Sequence, residues 1–231
     1  MTGVQTCALP ICIYNGFSAR QPMRDHNYRS GGYDTLTTTE ILMYSSNIGI
    51  AKLIHKGYSD KPEAFVDAVI RTGIGNHFSM QLVGTAAPVI KRDGYWDATR
   101  LPWMATGYNL QLPVVNTLTL YNAIANNGKM VEPRLVKEVR RGEDVIERIP
   151  VKVVNEQICS EKTLKDVQYM LEQVVSRGLA KDARSEHFKS AGKTGTAQMG
   201  YGGSGRTTHM VSFCGYFPAD NPQYTCIVSI R

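Results

Sequence analysis

Apolar residues recur at helical spacing in several stretches of this chain, which predicts amphipathic helices there. Serine, threonine, proline, asparagine or glycine stands at most of the expected helix ends, where such residues begin or terminate helices. The first predicted helix has Thr37 and Glu40 spaced as a capping box. The predicted helices cover residues 37–44, 48–54, 62–73, 113–126 and 160–178.

Strand signals fill most of the remaining chain and cluster toward its C-terminus. Short turns join the last three predicted strands, so we expect an antiparallel meander with helices packed on it. Residues 76–111 are expected to be mostly irregular. The predicted fold class is therefore α/β, of the α+β kind. The predicted strands cover residues 130–139 and 145–153, joined by a hairpin turn at 141–144, a segment through Lys193, and residues 208–217 and 223–230.

Composition limits the class of protein. With 42% hydrophobic residues the chain can bury a core, and a single domain is the default expectation. The formal net charge is +6, but the basic residues are scattered, which argues against a nucleic-acid interface. No apolar run approaches the length needed to cross a membrane. The histidines and cysteines show no metal-ligand spacing, so no metal is expected.

Residues 1–12 do not fit the rest of the chain. Back-translated with ordinary codons they resemble a sequencing adapter, so we interpret them as an artefactual segment fused to a truncated gene. A secretory signal would need a basic start and a longer apolar stretch. Residues 13–231 then form one partial domain, in which Cys159, Cys214 and Cys226 are expected to be buried thiols. A disulfide between Cys214 and Cys226 is the less favoured alternative.

The chemistry is concentrated in Lys193-Thr194-Gly195-Thr196. Side chains alternate along a strand, so Lys193 and Gly195 are expected on one face, and Thr194 and Thr196 on the other. The missing side chain at Gly195 lets a ligand approach the backbone, and the nearby cation and hydroxyls suit a carboxylate. This points to an acyl-transfer enzyme whose substrate ends in a carboxylate. The same residues also fit an ordinary glycine-containing strand or turn.

A second motif lies far upstream, where Ser45-Ser46-Asn47 separates two predicted helices. Its simplest interpretation is an N-cap for the second helix. Together with K-T-G-T, however, it resembles the S-x-N motif of penicillin-binding proteins and serine β-lactamases, and residues 107–113 resemble the G-Y-G-L-x-x-x-P stretch of the former. From about Asp25 to Arg231 the chain resembles a class B penicillin-binding protein of the cell-division type.

The resemblance implies the penicillin-binding protein and serine β-lactamase-like transpeptidase fold, a five-stranded antiparallel sheet between helical layers, here incomplete. It also implies acyl transfer through a serine ester, whose nucleophile and base come from an S-x-x-K helix. The only such pattern in the chain is Ser190-Ala191-Gly192-Lys193, and residues three apart on a strand face opposite ways. We therefore expect a chain truncated at both ends, without its nucleophile, and inactive as written.

The resemblance also assigns roles residue by residue. Ser45 would relay a proton toward the leaving group, and Asn47 would hold the backbone of the substrate peptide. Lys193 would supply positive potential, while Thr194 and Thr196 would bind the substrate carboxylate. The Thr196 backbone N–H would contribute to an oxyanion hole.

The implied substrate is the peptide stem of peptidoglycan, ending in D-Ala-D-Ala, and the implied inhibitors are β-lactams. Other cell-wall or division proteins are implied as partners, and no cofactor is. The domain would lie on the extracytoplasmic, periplasmic face of the bacterial inner membrane, held there by an anchor upstream of this chain.

Three alternatives are weighed against this interpretation. A P-loop NTPase is suggested by Gly192-Lys193-Thr194, but its motif needs a glycine where His187 stands. A serine β-lactamase shares all three motifs. The third alternative is an inert or poorly folded fragment, because the loss of core strands from a marginally stable domain favours misfolding.

Overall fold

A computed structural model of the chain describes residues 23–94, 96–97, 99–199 and 208–231. The segment 1–12 that we interpret as an artefact lies outside these ranges, together with Cys7 and Cys12. Within them the chain forms one three-stranded antiparallel sheet and three two-stranded pairs, with helices packed on the larger sheet. None of the helices described is long and apolar enough to span a membrane.

The helices follow the sequence pattern closely, apart from one that it missed. The capping box is confirmed, because Thr37 accepts from the Glu40 N–H and the Glu40 carboxylate accepts from the Thr37 N–H. The short helix containing Pro102 lies in the region predicted as mostly irregular, because six residues are too few for a periodic signal. The α-helices of the described ranges are α1 (Thr38–Met43), α2 (Asn47–Tyr58), α3 (Glu63–Arg71), α4 (Arg100–Ala105), α5 (Val114–Ala125) and α6 (Glu161–Ser176).

Six short strands form the two-stranded pairs. They are β1 (Val89–Ile90) with β2 (Leu110–Gln111), β3 (Met130–Val131) with β6 (Val153–Asn155), and β4 (Glu138–Arg141) with β5 (Asp144–Arg148). The prediction of two continuous strands at 130–139 and 145–153 is therefore wrong. Pro133 and Pro150 lie between the pieces, and proline cannot donate to a strand ladder. The hairpin turn predicted at residues 141–144 is confirmed, with Gly142 at a φ of 60°.

The C-terminal sheet is the predicted meander. It consists of β7 (Ala191–Met199), β8 (Thr208–Phe217) and β9 (Tyr224–Ile230), in that order and antiparallel throughout. Its described part has three strands, where the family resemblance implied five. Helices α5 and α6 pack on it through a buried cluster of Ile124, Leu164, Leu171, Ala191 and Tyr216.

The cysteines depart in part from expectation. Cys214 is buried, but Cys159 is half-buried and Cys226 is exposed, and all three thiols are free. Cys226 pairs across the strands with Gly215 rather than with Cys214. Neighbouring residues of a strand point to opposite faces, so Cys214 and Cys226 lie on opposite sides of the sheet and no disulfide joins them.

Candidate active site

The structure brings the two sequence motifs into contact. Lys193, on β7, donates a hydrogen bond from Nζ to the Oγ of Ser45 at 2.9 Å, across 148 residues of sequence. Ser45 occupies the corner between α1 and α2. Two residues from opposite ends of the described chain therefore share one site.

Lys193 is largely withdrawn from solvent. Burial lowers the pKa of its ammonium from 10.5 to about 8, and no described carboxylate offsets that cost. Besides the Ser45 hydroxyl, its Nζ has the Thr194 carbonyl as an acceptor, at 3.0 Å. A desolvated cation that has only neutral acceptors attracts an anionic group more strongly than an exposed one does. The electrostatics of this site therefore suit a carboxylate ligand.

Ser45 has an unusual backbone conformation. Its φ is 52°, in the left-handed region that non-glycine residues rarely adopt. Such a conformation costs roughly 1–3 kcal/mol and persists only where the surroundings enforce it, often at functional sites. Here the turn is closed by the Ser45 N–H to the Leu42 carbonyl at 3.3 Å and by the Ser46 N–H to the Ile41 carbonyl at 3.0 Å.

The three residues of Ser45-Ser46-Asn47 have different surroundings, and the N-cap interpretation is confirmed for Ser46. Ser46 is the N-cap of α2, with its Oγ accepting from the Gly49 N–H at 2.9 Å. Ser45, by contrast, faces Lys193. Asn47 is the first residue of α2, and its exposed side chain donates to the Arg24 carbonyl at 3.4 Å. Asn47 therefore flanks the Ser45 corner, and among the described residues no hydrogen bond joins its side chain to Lys193.

Asp25 supports this corner, and the sequence pattern did not single it out. It is 4% exposed. Its Oδ2 accepts from the Ser46 hydroxyl at 2.7 Å, and its Oδ1 accepts from the Ile48 N–H at 3.1 Å. A lone acidic residue in a loop carries no periodic or spacing signal, so only the folded chain reveals its partners.

The remaining motif residues lie along one edge of the sheet. Among the described strands β7 pairs only with β8, which leaves its other edge free. The Thr194 carbonyl lies on this edge, where it accepts from Lys193. Residues two apart in a strand present their backbone groups to the same side, so Thr196 directs its N–H and carbonyl there as well. A Cβ at Gly195 would come within 2.7 Å of the Ser212 Oγ on β8, so glycine here lets the Ser212 side chain lie close against β7.

The end of α6 supports the last turn of α1. The Leu179 N–H donates to the Met43 carbonyl at 3.1 Å. Gly178 is packed so closely that a Cβ there would lie 2.6 Å from the Met43 carbonyl oxygen. This backbone joint lies two residues before Ser45.

A separate groove of about 390 Å³ lies between α6 and residues 184–190. Its lining reaches Ser190 but includes neither Ser45 nor Lys193. We therefore place the candidate site at the Ser45–Lys193 contact, where the chemistry lies, rather than in this groove.

The position of Lys193 on β7 decides between two interpretations of the sequence around it. Gly192-Lys193-Thr194 lies inside an antiparallel strand rather than in a loop that opens a helix, so the P-loop interpretation is wrong. Ser190 lies just before β7 and Lys193 lies on it, so this S-x-x-K pattern is not on a helix. The arrangement can orient an anionic ligand and exchange a proton through the Ser45 hydroxyl.

Comparisons with known proteins point to one family. The family described as the penicillin binding protein transpeptidase domain matches residues 14–231. Penicillin-binding protein PbpB of Mycobacterium tuberculosis is 29% identical over 211 residues, which cover 86% of this chain and 30% of that protein. Stage V sporulation protein D of Bacillus subtilis is 26% identical over 208 residues, or 88% of this chain and 31% of that protein.

A solved structure shows the same fold. The crystal structure of penicillin-binding protein 3 from Mycobacterium tuberculosis, complexed with aztreonam, has a TM-score of 0.75 and 26% identity, covering 97% of this chain and 48% of that chain. The chain spans about a third of the length of the curated relatives that it matches. Because the family match takes in almost all of its residues, the chain belongs to the penicillin-binding protein transpeptidase domain family.

Proposed function

We propose that this chain is the substrate-binding part of a peptidoglycan D,D-transpeptidase domain, which cross-links peptide stems through an acyl-serine intermediate. One observation carries the proposal: Lys193 donates to the Ser45 hydroxyl at 2.9 Å beside the free edge of β7. Membership of the family supports the reaction class, and the aztreonam complex of the related penicillin-binding protein 3 supports a β-lactam as a ligand of this site.

The hydrogen-bond direction suggests how a proton moves. Because Lys193 donates to the Ser45 Oγ, the Ser45 hydroxyl hydrogen is free to point at a ligand. It would be delivered to the departing nitrogen of the substrate amide and replaced by a proton from Lys193. The pKa of about 8 suits Lys193 to such exchange, because a group exchanges protons best when its pKa lies near the working pH.

The free edge of β7 would hold the rest of the substrate. Thr194 and Thr196 would donate hydroxyl hydrogen bonds to the terminal carboxylate of a stem peptide or a β-lactam, next to the Lys193 charge. Hydrogen bonds of this charge-assisted kind contribute roughly 1.5–3 kcal/mol each. The Thr196 N–H would stabilise the oxyanion that develops on the attacked carbonyl, and the exposed Asn47 amide would hold the peptide backbone.

The nucleophile would come from outside these 231 residues, since the one S-x-x-K pattern of the chain is not on a helix. Its serine would lose its hydroxyl proton to the lysine of the same S-x-x-K motif and attack the penultimate D-Ala carbonyl. The amide C–N bond would break, and the terminal D-Ala would leave with the proton relayed by Ser45. An acceptor amine would then displace the serine. Alone, the chain would orient the ligand without forming the ester.

The family setting implies the surroundings of the whole protein. We propose an extracytoplasmic, periplasmic location on the bacterial inner membrane, with an anchor upstream, and association with other cell-wall or division proteins. The substrate would be a stem peptide that ends in D-Ala-D-Ala.

Covalent labelling by a fluorescent penicillin tests the function. The samples are this chain and a longer protein that carries an S-x-x-K helix upstream of it. We expect only the longer protein to be labelled, at the upstream serine. Lys193→Met should abolish its labelling, whereas Lys189→Met, at an exposed lysine paired with Glu172, should not.

Three other outcomes of the labelling experiment would contradict parts of this proposal. Absence of labelling in the longer protein would contradict the proposed function. Labelling that survives Lys193→Met would contradict the role of the site. If the 231-residue chain itself is labelled and peptide mapping finds the label on Ser45 or Ser190, the assignment of the nucleophile is wrong.

A further inference from the structure

We infer that Asp25 is a positioning residue: its buried carboxylate clamps the Ser45-Ser46-Asn47 turn and so fixes where the Ser45 hydroxyl meets Lys193. Asp25 would touch neither the substrate nor the reacting atoms. What the site does rests on the proposed function, whereas the contacts between Asp25 and the turn do not depend on it.

Both oxygens of the Asp25 carboxylate are used on the turn. One accepts from the Ser46 hydroxyl at 2.7 Å and the other from the Ile48 N–H at 3.1 Å. Ser46 in turn accepts from the Gly49 N–H at 2.9 Å. Asp25 and Ser46 are 4% and 2% exposed, so water does not compete for these hydrogen bonds. A carboxylate at the first turn of α2 is further stabilised by the helix dipole.

The residues on either side of Asp25 hold it in place. Met23 is buried in a cluster with Ile48 and Ala51 of α2. The Arg24 carbonyl accepts from the Asn47 amide at 3.4 Å. Residues 23–25 therefore run across the start of α2, where each of them contacts it through a different kind of interaction.

This clamp acts on Ser45 through its neighbour. Ser45 has a φ of 52°, and the free-energy cost of such a conformation must be offset by the contacts around it. Ser46, the next residue, is held by Asp25, by the Gly49 N–H of α2 and, through its own N–H, by the Ile41 carbonyl of α1. If Asp25 loses its carboxylate, Ser46 loses the anchor that comes from outside α1 and α2, and Ser45 can relax away from Lys193.

Nuclear magnetic resonance of this chain tests the inference directly. The readout is the nuclear Overhauser effect between the Ser45 β-protons and the Lys193 ε-protons, together with the backbone shifts of Ser45. We expect Asp25→Ala to abolish the effect and to move Ser45 out of the left-handed region. The control is Ser160→Ala, which removes the N-cap of α6 and should lower the melting temperature comparably while leaving the Ser45–Lys193 contact intact.

A contact that persists in Asp25→Ala would overturn the inference, as would an equal loss in Ser160→Ala. If Asp25→Ala does not fold, Asp25→Asn carries the same test, because it keeps the shape and an acceptor for Ile48 while replacing the charge-assisted bond from the Ser46 hydroxyl by a weaker one from a neutral amide N–H to the Ser46 oxygen. Its Overhauser effect should weaken, and an unchanged effect would count against the clamp.

Penicillin labelling of the longer protein separates this inference from the proposed function. There, Asp25→Asn should slow labelling roughly tenfold or more, because small displacements at a reaction centre have large effects on rate. If the unaltered longer protein is not labelled while Asp25→Ala still breaks the contact, the proposed function fails and the clamp stands. If labelling occurs but the Ser45–Lys193 contact persists in Asp25→Ala, only the inference about Asp25 fails.

Discussion

The Nζ of Lys193 lies 2.9 Å from the Oγ of Ser45 and donates a hydrogen bond to it. This contact joins β7 of the sheet to the corner between α1 and α2. No described carboxylate pairs with the lysine, and the serine has a strained backbone conformation. Both features cost stability, and both are understandable if the site is arranged for a ligand that is absent from the free protein.

Replacing Lys193 by methionine should therefore stabilise the fold while destroying the site. Lys193→Met keeps the length of the side chain but removes a desolvated charge, so the free energy of unfolding should rise by about 1 kcal/mol. Urea unfolding measures this change. Lys189→Met is the matched control, since Lys189 is exposed and forms a surface ion pair with Glu172, and its effect should stay within about 0.5 kcal/mol. A destabilised Lys193→Met variant would show that the ammonium contributes more through its hydrogen bonds than it costs by burial.

The same lysine predicts a dependence of stability on pH. The pKa of Lys193 is about 8 in the folded chain against an ordinary value of 10.5, so between these values the unfolded chain holds more protons than the folded one. Its contribution therefore makes the free energy of unfolding rise with pH from about 8 to 10.5, by up to about 3 kcal/mol, and this gain is lost as the pH falls through 8.

The measurement is the difference in unfolding free energy between the chain and Lys193→Met at pH 7 and at pH 10. Taking the difference cancels other titrations, such as that of Cys214, whose pKa burial raises to about 12. We expect the advantage of the methionine variant to shrink at pH 10. An advantage that stays constant would mean that Lys193 is better hydrated than the structure shows.

Two glycines of α2 should respond in opposite ways to alanine. A Cβ at Gly49 would lie 2.6 Å from the Ile41 Cγ1, so Gly49→Ala should push α2 away from α1 and cost about 1–3 kcal/mol. Gly57 has no atom within 4 Å of such a Cβ, so Gly57→Ala should stabilise α2 by up to about 1 kcal/mol. Thermal melts of both variants test this, and Ile41→Ala should largely remove the penalty at Gly49 in a double-mutant cycle. Equal effects at the two glycines would contradict the close packing of α1 on α2.

One face of β9 should make the chain associate with itself. Tyr224, Val228 and Ile230 lie on that face and are 65%, 50% and 63% exposed, and β9 is an edge strand in the described sheet. Exposed apolar edge strands promote association, and a lysine on the edge opposes it. Ile230→Lys should therefore shift the chain toward monomer in sedimentation velocity. Ser229→Lys adds the same charge on the other face and should have less effect, and equal effects would point to net charge as the cause.

Local signals in the sequence were sufficient for most elements. The α1 capping box, the Ser160 cap and the three C-terminal strands each depend on neighbouring residues, and each was confirmed. The prediction of continuous strands at 130–139 and 145–153 was wrong, because Pro133 and Pro150 interrupt the ladder although the surrounding residues favour strands. Helix α4 was missed because it is too short to repeat its pattern.

The candidate site could be predicted in part. The residues Ser45 and Lys193 followed from two motifs, and the structure places them in hydrogen-bond contact. The roles of Asn47, Thr194 and Thr196 stay predictions. The position of Asp25 could not be predicted, because it depends on how a loop packs against α2 rather than on any spacing along the chain.

The hydrogen bond from the Leu179 N–H to the Met43 carbonyl has a consequence for how this site tolerates sequence change. It joins main chain to main chain, so the hydrogen bond itself does not depend on which side chains Leu179 and Met43 carry. Gly178 is the exception, because even an alanine there would press on the Met43 carbonyl oxygen at 2.6 Å, and we expect lineages of this protein to keep it.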